Sequence, residues 1–201
     1  MSFVSHFLLF RTMRLYFRNM KHISQITMLF FLLALFGTTA CQPAPVLEPG
    51  QTLQLATSAE NKVEVTIALS RDESGQFFLS ATFTPQLLNM HLYSKEIPRN
   101  GVEGVGRPTL LELAEGSALK ANGEVTESIV SSQSSSFDAE GLLLYPAGPV
   151  TLSLPVLLPD GNDWVNDQVI VTYMACDDRG CRAPVQQKPI AIKIPSMGLF
   201  Q

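Results

Sequence analysis

Apolar and polar residues alternate in a series of short runs along the chain. Val63, Val65, Ile67 and Leu69 are separated by Glu64, Thr66 and Ala68. Phe77, Leu79, Ala81 and Phe83 share one face of the next run. Val150, Leu152, Leu154 and Val156 alternate with Thr151, Ser153 and Pro155. Val169, Val171 and Tyr173 follow, then Ile190, Ile192 and Ile194. Side chains of a strand point alternately to its two faces, so a period of two predicts strands with one buried face. Turn-forming residues separate the runs: Asp72-Glu73-Ser74-Gly75, Pro159-Asp160-Gly161-Asn162 and Asp177-Asp178-Arg179-Gly180. Short alternating strands joined by such turns predict an all-β sandwich. The best helical stretch, residues 110–121, is interrupted by Gly116 and Ser117. No alternation of strands with helices is present, which argues against a thioredoxin or Rossmann fold.

The pattern weakens between Asn89 and Phe137. Pro98-Arg99-Asn100-Gly101, Gly104 and Gly106-Arg107-Pro108 are turn signals, and residues 131–136 are all serine except Gln133. This interval is expected to form long loops with one or two short strands. Long loops in a compact sandwich are often functional.

A different pattern occupies the N-terminus. Met28-Leu29-Phe30-Phe31-Leu32-Leu33-Ala34-Leu35-Phe36 is continuously apolar. Its length is well short of the roughly 20 residues of a spanning helix and fits the apolar centre of a signal peptide. Arg11, Arg14, Arg18 and Lys21 precede it, and Gly37, Thr38, Thr39 and Ala40 lead into Cys41. This end resembles a bacterial lipobox, in which the cysteine becomes a lipid-modified N-terminus. Ordinary cleavage would instead leave Cys41 unmodified. Met20-Lys21-His22 would begin a more compact signal. Gln42-Pro43-Ala44-Pro45 reads as an extended tether. The expected organisation is a signal peptide over residues 1–40, a lipidated cysteine and tether over 41–50, and a sandwich domain over 51–201. Such a protein is extracytoplasmic and held by acyl chains on the periplasmic side of a bacterial membrane or at the cell surface.

Charge narrows the function. The net charge is −4, but residues 1–40 hold four of the 14 basic residues and none of the 18 acidic ones. From Cys41 onward the chain is therefore strongly acidic. Nucleic-acid binding needs clustered Lys and Arg, so no nucleic-acid partner is expected. Three Cys and three His, widely scattered, suggest no metal site. Only His91 lies beyond the signal segment, so no Ser/His/Asp arrangement stands out, and no glycine-rich phosphate loop is present. No cofactor is expected.

Cys176 and Cys181 are the sharpest chemical signal. They bracket Asp177-Asp178-Arg179-Gly180 between strand-like stretches, as expected for a four-residue hairpin loop built on a type I turn. Directly opposed residues have Cα atoms about 4.5–5.5 Å apart, within the range a disulfide accepts. An oxidising compartment lets the bond persist. A loop this short gains only about 2 kcal/mol from cross-linking. Spacing alone leaves open whether the bond is structural or reactive.

The segment Val169-Ile170-Val171-Thr172-Tyr173-Met174-Ala175-Cys176-Asp177-Asp178-Arg179-Gly180-Cys181-Arg182-Ala183-Pro184 resembles the N-terminal periplasmic domain of the thiol:disulfide interchange protein DsbD family. In that family a strand ends in Tyr-x-x-Cys, polar residues with Gly follow, then the second Cys and Pro. His91-Leu92-Tyr93-Ser94-Lys95 resembles the family's earlier Leu-Tyr segment, and Leu152-Ser153-Leu154-Pro155-Val156 its Leu-Pro strand. The likeness covers residues 60–195. It implies an immunoglobulin-like sandwich whose redox-active pair, Cys176 and Cys181, sits at one end. It implies Tyr93 and His91 as lining residues and an aromatic cap, for which Phe137 lies in the corresponding interval. It also implies thiol–disulfide exchange with thioredoxin-fold partners. Family members continue into a membrane domain and a thioredoxin domain. With neither before Gln201, a separate membrane electron donor is expected. The rival expectation is a non-enzymatic binding or envelope-assembly module whose disulfide only stiffens a hairpin.

Overall fold

The computed structural model describes residues 47–133 and 140–200. The expected signal segment, Cys41 and Phe137 lie outside the described residues. Among the described residues the chain forms β1 (Thr52–Glu60), β2 (Val63–Arg71), β3 (Phe77–Pro85), β4 (His91–Leu92), β5 (Leu110–Leu113), β6 (Lys120–Ala121) and β7 (Thr126–Glu127). It continues through β8 (Ser132–Gln133), β9 (Leu143–Leu144), β10 (Val150–Leu157), β11 (Trp164–Tyr173), β12 (Ala175–Asp177), β13 (Gly180–Cys181) and β14 (Val185–Pro195). A short 3₁₀ helix, Met197–Phe200, follows.

Two antiparallel sheets make the sandwich. One has the order β1-β2-β3-β10-β6, with β7 also pairing along β10; the other has the order β14-β11-β5. The register sets Ile67 opposite Ala81 and Leu69 opposite Leu79, and it sets Leu79 opposite Leu154. The apolar sets of neighbouring strands therefore share one face, and a slip of one residue would turn the whole set to solvent. That face meets Leu111, Val169, Val171, Ile190, Ile192 and Ile194 of the second sheet in a single core. Phe83 and Tyr173, one from each sheet, meet edge to face with ring centroids 5.6 Å apart. The alternating runs thus form the strands they predict, and the fold is an all-β sandwich.

Two parts of the fold differ from expectation. β1 has no fully buried residue, and its register shifts between Gln54 and Ala56. A bulge in an edge strand breaks the alternation that would have marked it. Among the described residues the interval after Asn89 holds five short strands, β4 to β8, rather than one or two. Residues 110–121 begin as β5, paired with β11, and turn at Gly116, whose φ is +75°. Strands of two to four residues are too short to show a period, so only pairing with distant partners reveals them.

The second sheet leads to the cysteines. β11 and β14 form a long hairpin, paired from Trp164↔Pro195 to Tyr173↔Val185, with a register shift between Val171 and Tyr173. Beyond Tyr173 the chain runs on as β12, turns, and returns as β13 before joining β14. This tip belongs to a small sheet of order β13-β12-β4.

Candidate active site at the disulfide hairpin

The small sheet has two apolar faces, because successive residues point to opposite sides. Leu92 and Ala175, paired across β4 and β12, are fully buried and belong to the main core. Their neighbours point the other way. Cys176 lies opposite His91 on one side and opposite Cys181 on the other. Tyr93, two residues beyond His91, shares that face. Tyr93, Ile97, Leu142 and Cys176 form a second, smaller apolar cluster, with Val102, Leu143, Leu144 and Met174 packed against it. One sheet therefore seals the core and carries the disulfide on its back.

Cys176 and Cys181 are bonded, with Cα atoms 4.0 Å apart. The Arg182 N–H donates to the Ala175 carbonyl at 2.9 Å. A ladder bond at that position flanks a non-hydrogen-bonded pair, the closer of the two antiparallel spacings. Asp177 and Gly180 are themselves paired, so the loop is the two residues Asp178-Arg179 rather than the four expected. Asp177 Oδ1 accepts the Arg179 N–H at 2.9 Å, a local bond that favours the turn. Gly180 follows at φ +135°, a value an L side chain rarely adopts. Arg182 reaches back to Asp177 at 3.2 Å, fastening the base of the hairpin.

The two sulfurs sit in unlike surroundings. Cys176 is only 3 % exposed, whereas Cys181 is exposed at the outer strand. The Tyr93 hydroxyl lies 3.1 Å from Cys176 Sγ and 3.8 Å from Cys181 Sγ. The His91 ring stands edge-on to the Tyr93 ring, 5.8 Å between centroids. The structure thus brings together Cys176, Cys181, Tyr93 and His91.

Tyr93 is held from several directions. Its carbonyl accepts bonds from the Thr109 N–H at 3.2 Å and the Thr109 hydroxyl at 2.7 Å. Its backbone bridges Pro108 on one side and Leu144 on the other. The Ser94 N–H donates to the Leu143 carbonyl at 3.0 Å, and the Tyr145 N–H to the Leu92 carbonyl at 2.9 Å. The Ser94 hydroxyl, fully buried, pairs with the Ser131 hydroxyl at 2.9 Å. The Tyr145 hydroxyl accepts the Lys95 N–H at 3.1 Å and donates to Glu127. Burial, with the Glu127 bond, pushes the Tyr145 pKa well up, so it stays a neutral donor.

The loop after Ile97 closes over the Tyr93 ring. A Cβ on Gly106 would lie 2.8 Å from ring atoms Cδ1 and Cε1, and Gly106 has φ +79°. The backbone must approach the ring that closely, which only glycine allows. Arg107 ties the loop together by donating to the carbonyls of Asn100, Gly104 and Gly106. Val102 and Val105 exchange backbone bonds across its tip. Sequence reasoning marked the glycines of this loop as turn residues but did not connect them to Tyr93. The pairing spans about a dozen residues of loop, and no periodic signal crosses it.

Comparison with protein-family models, with curated proteins and with solved structures finds no match for this chain.

Proposed function

We propose that the domain carries out thiol–disulfide exchange through Cys176 and Cys181. The observation that carries this reading is the contrast between the two cysteines: Cys181 is an exposed residue, whereas Cys176 is buried with a tyrosine hydroxyl 3.1 Å from its sulfur. Attack on a disulfide is fastest at the sulfur that is accessible and whose partner leaves most readily. A partner thiolate would attack Cys181 Sγ in line with the S–S bond. That bond breaks, its electron pair passes to Cys176 Sγ, and a mixed disulfide remains on Cys181. The Tyr93 O–H donates to the thiolate forming on Cys176. The partner's second thiolate then attacks its own sulfur in the mixed disulfide and releases Cys181 as a thiolate. Protons from solvent neutralise the released thiolates. The partner leaves as a disulfide, and the domain holds the dithiol. Read backwards, the same steps let the dithiol reduce a partner's disulfide.

The resemblance to the DsbD N-terminal domain supports a thioredoxin-fold partner and an immunoglobulin-like sandwich. The low cross-linking gain of so short a loop, about 2 kcal/mol, also favours a bond kept for chemistry. The signal-like segment ending at Cys41 supports export and acyl anchoring, which fatty-acid labelling lost in Cys41→Ser would establish. The exchange reading is tested by expressing Cys176→Ser in the native host. In the direction where the domain reduces a partner's disulfide, the remaining Cys181 thiolate should attack a thioredoxin-fold protein and accumulate a mixed disulfide with it on non-reducing gels, because the Cys176 thiol that would complete the transfer is missing. If nothing is trapped, and the wild-type bond has a reduction potential below about −300 mV, the disulfide is structural and the protein is a binding or assembly module.

A further inference from the structure

Among the described residues six large apolar side chains are exposed: Leu87, Leu88, Val105, Ile129, Val130 and Leu157. Single exposed leucines are common on proteins. Their placement here is not scattered. Phe83 meets Tyr173 at the end of the sandwich that carries β12, and Pro85 closes β3 at that end. Leu87 and Leu88 follow on the connection to β4. Leu88 is 93 % exposed. It precedes His91 by three residues, and His91 pairs with Cys176. Chain reach of about 10 Å plus one strand spacing of about 5 Å puts its Cα within about 15 Å of Cys176. Gln86, just before Leu87, shares a groove with Lys62 and Arg182, the residue after Cys181. Val105 adjoins Gly106, whose backbone covers the Tyr93 ring. Ile129 and Val130 precede Ser131, which bonds Ser94 beside Tyr93. Only Leu157 of the six lies elsewhere, at the far end of β10 beyond the Val156↔Phe77 pair.

We infer that Leu87, Leu88 and Val105 form the apolar docking rim for the protein whose cysteine exchanges with Cys181. This inference rests on the exchange reading above. The occupant follows from geometry. A mixed disulfide requires the partner's Cα to come within about 4.4–6.8 Å of the Cys181 Cα. The partner's surface must therefore press against whatever surrounds Cys181. An interface of ordinary size covers about 800 Å² on each side, a disc of about 16 Å radius. The Cys181 Cα is 4.0 Å beyond that of Cys176, so Leu88 lies within about 19 Å of it; the rim borders that disc, and a partner of ordinary size that reaches it buries these apolar side chains as the sulfurs meet. The partner needs a matching apolar surface around its own reactive thiol. A small thiol covers none of this surface and gains nothing from the rim.

That difference is the test. Reduction of the Cys176–Cys181 disulfide is timed with two reductants, thioredoxin as a dithiol protein and dithiothreitol as a small dithiol. The proteins compared are the wild type, Leu87→Ser/Leu88→Ser, Val105→Ser and, as a control, Leu157→Ser. The rim variants should be reduced by thioredoxin about tenfold more slowly, the effect of about 1.4 kcal/mol of lost contact. Their reduction by dithiothreitol, and both reactions of the Leu157 control, should match the wild type. Equal thioredoxin rates for wild type and rim variants overturn the rim and leave the exchange reading standing. A wild-type bond that dithiothreitol reduces but thioredoxin does not overturns both. Sedimentation of the wild type as a dimer that Leu88→Ser dissolves, or of wild type alone with phospholipid vesicles, assigns the rim to a second copy or a membrane and overturns it equally.

Discussion

Replacing Tyr93 with phenylalanine removes one oxygen atom and keeps the ring that Gly106 packs against. In the oxidised protein the hydroxyl lies 3.1 Å from Cys176 Sγ, a neutral contact worth about 1 kcal/mol. During reduction the same sulfur gains negative charge, and a hydrogen bond to a charged acceptor is worth about 1.5–3 kcal/mol. The gain over the oxidised state is then about 0.5–2 kcal/mol, and with roughly half of the charge developed in the transition state, loss of the hydroxyl raises the barrier by about 0.25–1 kcal/mol. The rate of reduction should then fall about 1.5- to fivefold. The assay is a time course with dithiothreitol, quenched by a thiol-alkylating reagent and resolved on gels. Urea unfolding of the oxidised variant checks that the domain is intact, with stability changed by about 1 kcal/mol or less. A reduction rate equal to or faster than wild type in a folded Tyr93→Phe protein would refute the assignment of Tyr93 to the leaving sulfur. The disulfide would then react, if at all, without help from its nearest polar neighbour.

Gly106→Ala should destabilise the domain by about 1–3 kcal/mol in urea, because its Cβ meets the Tyr93 ring at 2.8 Å and φ is +79°. It should also slow reduction in the same direction as Tyr93→Phe, since the ring must move; an unchanged urea midpoint would contradict the close approach. Phe83→Ala, at a fully buried ring packed edge-on to Tyr173, should cost about 3–5 kcal/mol in thermal or urea unfolding, and a loss below 1 kcal/mol would contradict the inter-sheet packing. The Tyr173 pKa is pushed up to about 12, first by burial and then by Glu60. Above about pH 10 the unfolded chain gives up this proton while the folded one keeps it, so the stabilisation present below pH 10 is lost as pH rises toward 12. Unfolding from pH 9 to 12 should show that decline, and Tyr173→Phe should make it shallower; an equal slope in both proteins would exclude Tyr173 as a source.

The strands of the core were legible in the sequence because their signal is local. Residues two apart in Val63–Arg71, Phe77–Pro85 and Val150–Leu157 point the same way whatever the rest of the chain does, and burying that face explains the alternation. The two cysteines were legible for a similar reason, since four intervening residues ending in glycine bring them opposite one another in a hairpin. Local spacing also placed the turn but overestimated it, because the pairing of Asp177 with Gly180 depends on the tight turn that Asp177 itself caps. The resemblance implied Tyr93 and His91 as lining residues, but only the tertiary structure decided how they and their neighbours surround the bond. Tyr93 and Cys176 are 83 residues apart, joined through a two-residue strand too short to carry any pattern. The unequal burial of the two cysteines comes from a cluster assembled by β4, β9 and the loop that Gly106 ends. Those elements exist because distant backbone groups pair and apolar side chains need a second face to cover. No periodicity along the chain records which distant segment supplies that cover.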